Sequence, residues 1–566
     1  MHNEIQGAVA MADRSTATGQ EVKPYRIHVS SRYLNLTKQK LEIARLPHEF
    51  EEPRSVDWWQ PKSQVEPLID FWLEQYQWRD QEQKMNGLPQ FRTGFTVPQS
   101  DTPIRTQFIH VKSSHANAVP LLLIPPFPFP SLVMGHLVKL FTTPEGAEGP
   151  QPFHLVIPSL PGLGFSDPLP TNTPVISTTA GMLDTLMKRL GYRFYLVTNA
   201  GAGTSSPAQI DFKIAEWLST QYSDSCLGSH FISPPLPRPK LQEAPVEWAK
   251  WSVAKHFGAA ISGYRAEDLS AFKRGGSAPA QSSGIPWELP QPGQTGLGQL
   301  GLNEPNTLAY ALCDSPTGLL VFMLKALRLL APEREFTPTE IINFTQVAWL
   351  PGPEAALRSW GYCLQHPEKP SKKATGGRPR VALTVFLGNE QQQNNDNTTG
   401  RPPYGEKRTP YSCPGWARTR YNVVHTHRAP GRPGLLAWER PEMIVSGARG
   451  LAAAVLKEDA RLKPSPRQEE SETAAAEAEE EISVEVTTPF EERRPVFVHP
   501  QTHTQQGLLA PPRKEEQQQQ QQQQRLQPVR ESSDDTKVAS SRESLPVKTP
   551  SPLPSPSSPA ITVGGA

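Results

Sequence analysis

The sequence predicts an α/β fold in which helices cover both faces of a mainly parallel β-sheet. From residue 108 onward, short apolar or β-branched runs alternate with helical segments, and one longer helical stretch interrupts the alternation. Strands that alternate with helices are typical of parallel sheets, because each connection crosses one face of the sheet. Both ends of the chain are polar and of low complexity, which predicts that they are disordered.

Hydrophobic periodicity and turn signals locate the individual elements. The predicted strands are Phe108–Val111, Leu121–Ile124, Phe153–Ile157, Phe194–Thr198, His230–Ser233 and Val381–Leu387. The predicted helices are Gln64–Trp78, Ile176–Leu190, Pro207–Gln221 and Pro441–Leu456.

Shifts in composition predict the domain organisation. The segments are a disordered start (1–23), an N-terminal segment (24–98), the first half of the core (99–235), a lid (236–350), the second half of the core (351–462) and a disordered low-complexity tail (463–566). The tail is either a regulatory segment with proline-directed phosphorylation sites or a neutral extension.

Composition excludes several classes of function. The 566 residues include 57 basic and 56 acidic side chains, so the net charge of +1 favours neither a nucleic acid nor an anionic membrane as partner. The four cysteines lie far apart, without the spacing of metal ligands or disulfides, which favours a reducing compartment. Because we find no secretory signal and no apolar stretch long enough to span a bilayer, we expect a soluble, cytoplasmic protein.

Six motifs, in the order in which one enzyme family has them, carry a resemblance. They are "YRIHVS" (Tyr25–Ser30), "LNLTKQKLEIARLP" (Leu34–Pro47), "QFIHVKS" (Gln107–Ser113), "HLVIPSLPGLGFSDP" (His154–Pro168), "ALCDSPTGLLVFML" (Ala311–Leu324) and "LLAWERPE" (Leu435–Glu442). On these motifs, residues 24 to 457 resemble the microsomal-type epoxide hydrolases. The resemblance implies an α/β-hydrolase fold, with a mainly parallel sheet, a helical lid insertion and an N-terminal segment wrapped around the core.

The resemblance also implies a reaction. In this family an aspartate on a sharp strand-to-helix turn attacks an epoxide carbon and forms an ester. A histidine, oriented by an acid, then activates the water that hydrolyses the ester. Two lid tyrosines donate hydrogen bonds to the opening epoxide oxygen, and a further loop forms an oxyanion hole.

The position of the nucleophile falls on Gly201, in "TNAGAG" (Thr198–Gly203), or on Ala200 after a slip of one residue. Neither residue has a side chain that can attack a substrate. Asp211 is the nearest downstream aspartate, and we expect it to lie well inside the following helix, where it cannot occupy the turn. A glycine at this turn relieves backbone strain where no nucleophile is required.

The position of the base is altered as well, whereas the position of the acid is better preserved. The histidine position falls on Gly434, and the resemblance implies Glu390 as the remnant charge-relay acid. His425 and His427 lie just upstream. Either a loop rearrangement brings one of them to the site, or both end a strand at the surface.

The oxyanion loop and the lid tyrosines also depart from the family pattern. The loop reads "PPFPFP", with Pro125 and Pro126 at the histidine and first glycine positions, and proline has no backbone N–H to donate. The tyrosine positions fall near Leu297 and near Ser359–Trp360. The tyrosines close to these positions, off register, are Tyr310 and Tyr362.

Three hypotheses about function remain open. The chain is a non-catalytic relative that binds a small apolar ligand under its lid or a partner, an active epoxide hydrolase, or another hydrolase with relocated catalytic residues. Because nucleophile, base and oxyanion loop are altered together, the first hypothesis is favoured, and it needs no cofactor and no metal ion. "GAGTSS" (Gly201–Ser206) opens the predicted helix and offers a weak anion site. The sequence predicts no oligomeric state.

Overall fold

Nine strands build the sheet that organises the described part of the chain. The computed structural model describes residues 19–49, 61–143, 151–203, 206–257, 263–275, 304–331, 334–370, 377–388 and 411–463, all within one compact unit, Met1–Glu485. The strands are β1 (Lys23–Pro24), β2 (Gln90–Phe95), β3 (Ile104–Val111), β4 (Val119–Ile124), β5 (Phe153–Pro158), β6 (Tyr195–Asn199), β7 (Cys226–Ile232), β8 (Arg380–Phe386) and β9 (Asn422–Ala429). The predicted disordered ends lie almost entirely outside the described residues.

The sheet is mainly parallel, as the sequence predicts. Its order is β1-β2-β3-β5-β4-β6-β7-β8-β9. The pairs from β5 through β4, β6, β7 and β8 to β9 are parallel, whereas β1, β2 and β3 add antiparallel strands at one edge. Every residue of β6 and β7 is buried, as expected for central strands of a sheet covered on both faces. Because β2 and β9 have polar sequences, the hydrophobic pattern did not predict them as strands.

Helices cover the two faces of the sheet and form the insertion between β7 and β8. They are α1 (Ser31–Glu42), α2 (Lys62–Glu74), α3 (Trp78–Asn86), α4 (Val138–Thr142), α5 (Val175–Arg189), α6 (Ile210–Gln221), α7 (Pro245–Phe257), α8 (Ala266–Gly275), α9 (Pro305–Asp314), α10 (Pro316–Leu330), α11 (Pro338–Trp349), α12 (Glu354–Gln365), α13 (Pro414–Ala417), α14 (Leu436–Glu439) and α15 (Pro441–Glu458). The predicted helix Gln64–Trp78 is in fact two helices, α2 and the start of α3.

The N-terminal segment contacts both the core and the lid. Glu82 of α3 accepts a hydrogen bond from the backbone N–H of Val29 (2.7 Å) and so fixes the extended stretch before α1. The hydroxyl of Tyr76 donates a hydrogen bond to Oδ1 of Asn343 on α11 (2.8 Å). The segment therefore wraps around the core and helps to position the lid.

A buried ion pair fastens the lid to the sheet. Asp268 of α8 and Arg428 of β9 are joined by two hydrogen bonds of 2.8 and 2.9 Å, and their side chains are 0% and 6% exposed. Tyr411 Oη donates a further hydrogen bond to Asp268 Oδ1 (2.5 Å), and the backbone N–H of Arg265 donates to Oδ2 (2.9 Å). Because both charges are paired and hydrogen-bonded, the pair fixes where α8 meets the core.

Apolar helices of the lid are the longest apolar segments of the described chain. Among the described residues, no single helix is both long and apolar enough to cross a membrane. The helix Pro305–Asp314 and the stretch Pro316–Arg328 meet the criterion only together, as a pair bent by 116°.

We predict that removing one partner of the buried ion pair lowers the free energy of unfolding strongly, whereas removing both partners lowers it little. Arg428→Met leaves a buried carboxylate unpaired and should lower the free energy of unfolding by about 3–5 kcal/mol. The double variant Asp268→Leu/Arg428→Met should recover most of this loss, as measured by urea denaturation followed by tryptophan fluorescence. Lys240→Ala, which breaks an exposed pair with Glu243, is the control and should cost less than about 1 kcal/mol. Additive losses in the double variant would show that the pair does not act as a unit.

Candidate functional site

The turn after β6 is wider than a sharp strand-to-helix turn. β6 ends at Asn199, and the α-helix begins only at Ile210, after a 3₁₀ turn at Pro207–Gln209. "GAGTSS" therefore does not open the α-helix directly, and the weak anion site stays a prediction because Thr204 and Ser205 lie outside the described residues. Gly201 does not have a positive φ, so the strain argument for a glycine there is wrong. The left-handed residues are Ala208 (φ 49°) and Gln209 (φ 58°).

The carboxyl group of Asp211 fills the space over Gly201. Asp211 is the second residue of α6, so the expectation that it lies well inside the helix is wrong. A Cβ atom built on Gly201 would collide with Asp211 Oδ2 and would lie 3.1 Å from Asp211 Cγ and 3.1 Å from Cβ of Pro126. A side chain at position 201 and the Asp211 carboxyl cannot both occupy this space.

The surroundings of Asp211 favour its uncharged form. The side chain is fully buried, and burial raises the pKa of its carboxyl, although hydrogen bonds from Ser206 and Asn199 offset part of this effect. Among the described residues, Oδ2 of Asp211 and Oδ1 of Asn199 have no hydrogen-bond partner. Ser205, which follows the turn, lies outside the described residues. The site therefore holds a fully buried acid with a raised pKa and one unbonded oxygen.

A carboxylate also fills the space at Gly434. This glycine has a φ of +60°, and a Cβ atom on it would collide with Oε2 of Glu439 and lie 2.8 Å from its Cδ. The same oxygen accepts a hydrogen bond from the backbone N–H of Leu435 (2.8 Å), which fixes the carboxylate there. An imidazole at position 434 would displace Glu439. Glu390, the implied acid, lies outside the described residues.

The buried histidine in the centre of the sheet has structural partners at both ring nitrogens. His230 of β7 is fully buried between the hydroxyls of Thr198 (2.9 Å) and Thr384 (2.8 Å), and burial lowers its pKa to about 3. His425 and His427 are interior residues of the edge strand β9 and are partly buried. The prediction that they end a strand is therefore wrong, although both lie at the edge of the sheet.

A hydrogen-bonded network holds the proline-rich loop. Pro125 and Pro126 are buried, and Phe129 N donates to Pro126 O (2.9 Å) to close a turn. Just after the loop, Ser131 Oγ lies 2.8 Å from Ser159 Oγ, and that serine donates to Gln107 Oε1 (2.6 Å). Sequence reasoning missed this buried network, because isolated serines and glutamines carry no periodic signal.

A small apolar cavity lies beneath the lid. Its volume is about 50 Å³, and it is lined by the loop Phe127–Pro130, the turn Gly162–Gly164 and apolar side chains of α9 to α12. As expected, the segment Ala311–Leu324 supplies part of the wall, through Leu312, Leu319, Phe322 and Met323. Gly201 and Asp211 are not among the lining residues, although Phe127, next to the Pro126 that approaches Gly201, is one of them.

The predicted tyrosine positions do not bring a phenol into this cavity. Trp360 lines it, with its ring centroid 6.4 Å from that of Phe127. Tyr310 is 83% exposed, and Tyr362 packs against His366 outside the lining. The other position, Leu297, lies outside the described residues. In the part of the chain that the structure describes, no group of three or more histidines, cysteines or acids is placed to hold a metal ion.

Comparison with known proteins points to one family. Residues 22–133 match the family described as "Epoxide hydrolase N terminus". Juvenile hormone epoxide hydrolase 1 of Ctenocephalides felis is 24% identical over 316 residues, which are 54% of this chain and 59% of that protein. The matched region thus spans less than two thirds of this relative's own length.

Two solved structures share the fold. The epoxide hydrolase of Aspergillus niger superposes with a TM-score of 0.55 at 19% identity, covering 77% of this chain and 97% of that chain. The juvenile hormone epoxide hydrolase of the silkworm Bombyx mori gives 0.56 at 18% identity, covering 79% and 97%. At these identities the likeness establishes the fold alone, and this is the α/β-hydrolase fold with a helical lid that the sequence motifs imply.

We predict an energetic coupling between positions 201 and 211. Gly201→Ala should lower the free energy of unfolding by about 1–3 kcal/mol, because the new methyl group meets the Asp211 carboxyl. In a double-mutant cycle, Asp211→Ala should relieve at least about 1 kcal/mol of this loss, whereas Asp211→Asn, which keeps the volume, should relieve little. Additive effects with Asp211→Ala would mean that the carboxyl does not occupy this space.

Proposed function

Because the chain belongs to the epoxide hydrolase family of α/β-hydrolases, we propose that it binds a small apolar ligand beneath its lid without the family's covalent reaction. The observation that carries this proposal is the Asp211 carboxyl over Gly201, the position to which the family motif assigns the nucleophile. A ligand can still be held by the lid and the loop around the cavity, which do not depend on that position.

Asp211 is a poor substitute for the family's nucleophile. Attack on an epoxide carbon requires a carboxylate, and burial raises the pKa of Asp211 so that the neutral acid is favoured. The carboxyl is also fully buried and is not among the residues that line the cavity. A substrate in the cavity would therefore not contact this carboxyl.

The second half of the family's reaction lacks its base. Gly434 stands at the histidine position, and the Glu439 carboxylate fills the space of a side chain there. His230 is bonded at both ring nitrogens to threonine hydroxyls, so it has no free nitrogen to accept a proton from water. Even if an ester formed, neither position 434 nor His230 would supply an imidazole that activates water to hydrolyse it.

The cavity sets limits on the ligand. Its walls are formed by aliphatic and aromatic side chains, so an apolar group is favoured there. For comparison, an apolar cavity of about 150 Å³ holds a benzene ring, and this cavity of about 50 Å³ is smaller. The ligand is thus a small group, or it enters with a side-chain movement that enlarges the cavity.

One-step hydrolysis is a second candidate, favoured by the two unbonded oxygens of Asp211 and Asn199. A water molecule donating to both oxygens would be held beside Asp211. An ionised Asp211 would take one proton from it while the water oxygen bonds to an epoxide carbon. The carbon–oxygen bond of the epoxide breaks, its oxygen takes a proton from solvent to give a diol, and Asp211 releases its proton to solvent. Binding ranks first because neither residue lines the cavity.

Filling the cavity tests the binding proposal. Ala356 lines the cavity, so Ala356→Leu should weaken binding of trifluorobutanol at least about ten-fold in a fluorine NMR titration. Ala311→Leu places the same side chain on the exposed face of α9 and should leave the affinity unchanged. Equal binding by both variants and the wild type would place the ligand elsewhere, and no binding to the wild type would refute the proposal.

A further inference from the structure

We propose that Phe344 is the gate through which a ligand enters the cavity, and that the ligand is amphipathic, with a carboxylate at its outer end. The proposal rests on the proposed function, since a gate has a role only if the cavity takes up a ligand. Both parts of the proposal come from a second space that adjoins the cavity.

This second space, the outer cleft, lies between the N-terminal segment, the core and the lid. Its volume is about 590 Å³, and it is open to solvent. One wall is α3 with Gln81 and Lys84, the floor is the 3₁₀ helix Ser131–Leu137, and the opposite wall is α11 with Trp438. The cleft thus opens where the wrapping segment meets the lid.

One aromatic ring separates the outer cleft from the cavity. Phe344 lines both spaces and is 2% exposed. Its ring centroid lies 5.1 Å from that of Phe129, which lines the cavity, and 5.2 Å from that of Trp438, which lines the cleft. These are edge-to-face contacts, which close the wall without a hydrogen bond or a charge.

The backbone beneath the ring is fixed, so the side chain is the part that can move. α11 begins with a capping box in which the side chains of Thr337 and Glu340 bond to each other's backbone N–H groups. Directly before Phe344, Asn343 accepts a hydrogen bond from Tyr76 Oη (2.8 Å). Since the helix is held at two places, rotation of the Phe344 side chain opens the wall at lower cost than movement of the helix.

The outer cleft has the polarity that the cavity lacks. Arg334 pairs with Glu340 (2.9 Å), so their charges offset each other. His136 Nε2 lies 2.6 Å from the carbonyl oxygen of Ala437, and burial lowers the pKa of this imidazole, so it is neutral at pH 7. The ammonium of Lys84 has no ion-pair partner among the described residues and leaves the cleft with a net positive charge. A carboxylate there, on a chain that passes Phe344, fits both spaces.

The exchange rate of a fluorinated probe tests the gate. Trifluorobutyrate is titrated into the full-length protein, and its exchange is measured by fluorine NMR. Phe344→Ala should raise the exchange rate at least about ten-fold, because the packed ring no longer closes the wall. Phe336→Ala is the control, since that ring contacts Phe344 (5.7 Å) but lines neither space, and it should leave the rate unchanged.

Charge reversal in the cleft tests the class of ligand. Lys84→Glu should weaken trifluorobutyrate binding by about three-fold or more and leave trifluorobutanol, its uncharged counterpart, unchanged. Equal effects on the two probes would overturn the carboxylate assignment. Unchanged exchange in Phe344→Ala, with binding still sensitive to Ala356→Leu, would overturn the gate and leave the proposed function standing. Binding of neither probe to the wild type would refute the proposed function itself.

Discussion

The close approach of the Asp211 carboxyl to Gly201 is the constraint on which the account of this protein depends. Two groups cannot share one space, so a side chain at position 201 and the carboxyl from α6 exclude each other. Burial then favours the neutral acid. The same arrangement recurs at Gly434, where Glu439 fills the space. At both places a glycine permits an acidic side chain from the following helix to take the room of a catalytic group.

The cavity and the proline-rich loop form a second, separate system. The loop is held by the Ser131, Ser159 and Gln107 network, and the lid is fastened by the ion pair of Asp268 with Arg428. These contacts define the apolar space without using any group near Gly201. The cavity thus does not depend on the residues around Gly201, which agrees with the proposal that a ligand is bound without the family's reaction.

Sequence reasoning recovered the sheet and the lid better than the site. The strands around Leu121 and Val197 have runs of apolar residues and are therefore easy to predict. The hydrophobic pattern did not predict β9 as a strand, because its side chains are polar and partly buried. The error at Asp211 came from the start of α6. Pro207 was an appropriate helix start, but a 3₁₀ turn intervenes, which moves Asp211 into the first helical turn. A contact between residues ten positions apart leaves no periodic pattern in the sequence, so it becomes visible only in the structure.

The measurement that tests the central claim most directly is diol formation from styrene oxide by the purified full-length protein. We predict that the wild type forms diol no faster than buffer does, because the acid beside Gly201 is fully buried, with a raised pKa, and the histidine position holds a glycine. Asp211→Asn, which keeps the volume of the side chain, is the matched control. Turnover by the wild type that disappears in Asp211→Asn would contradict the account and would make Asp211 the catalytic acid or base.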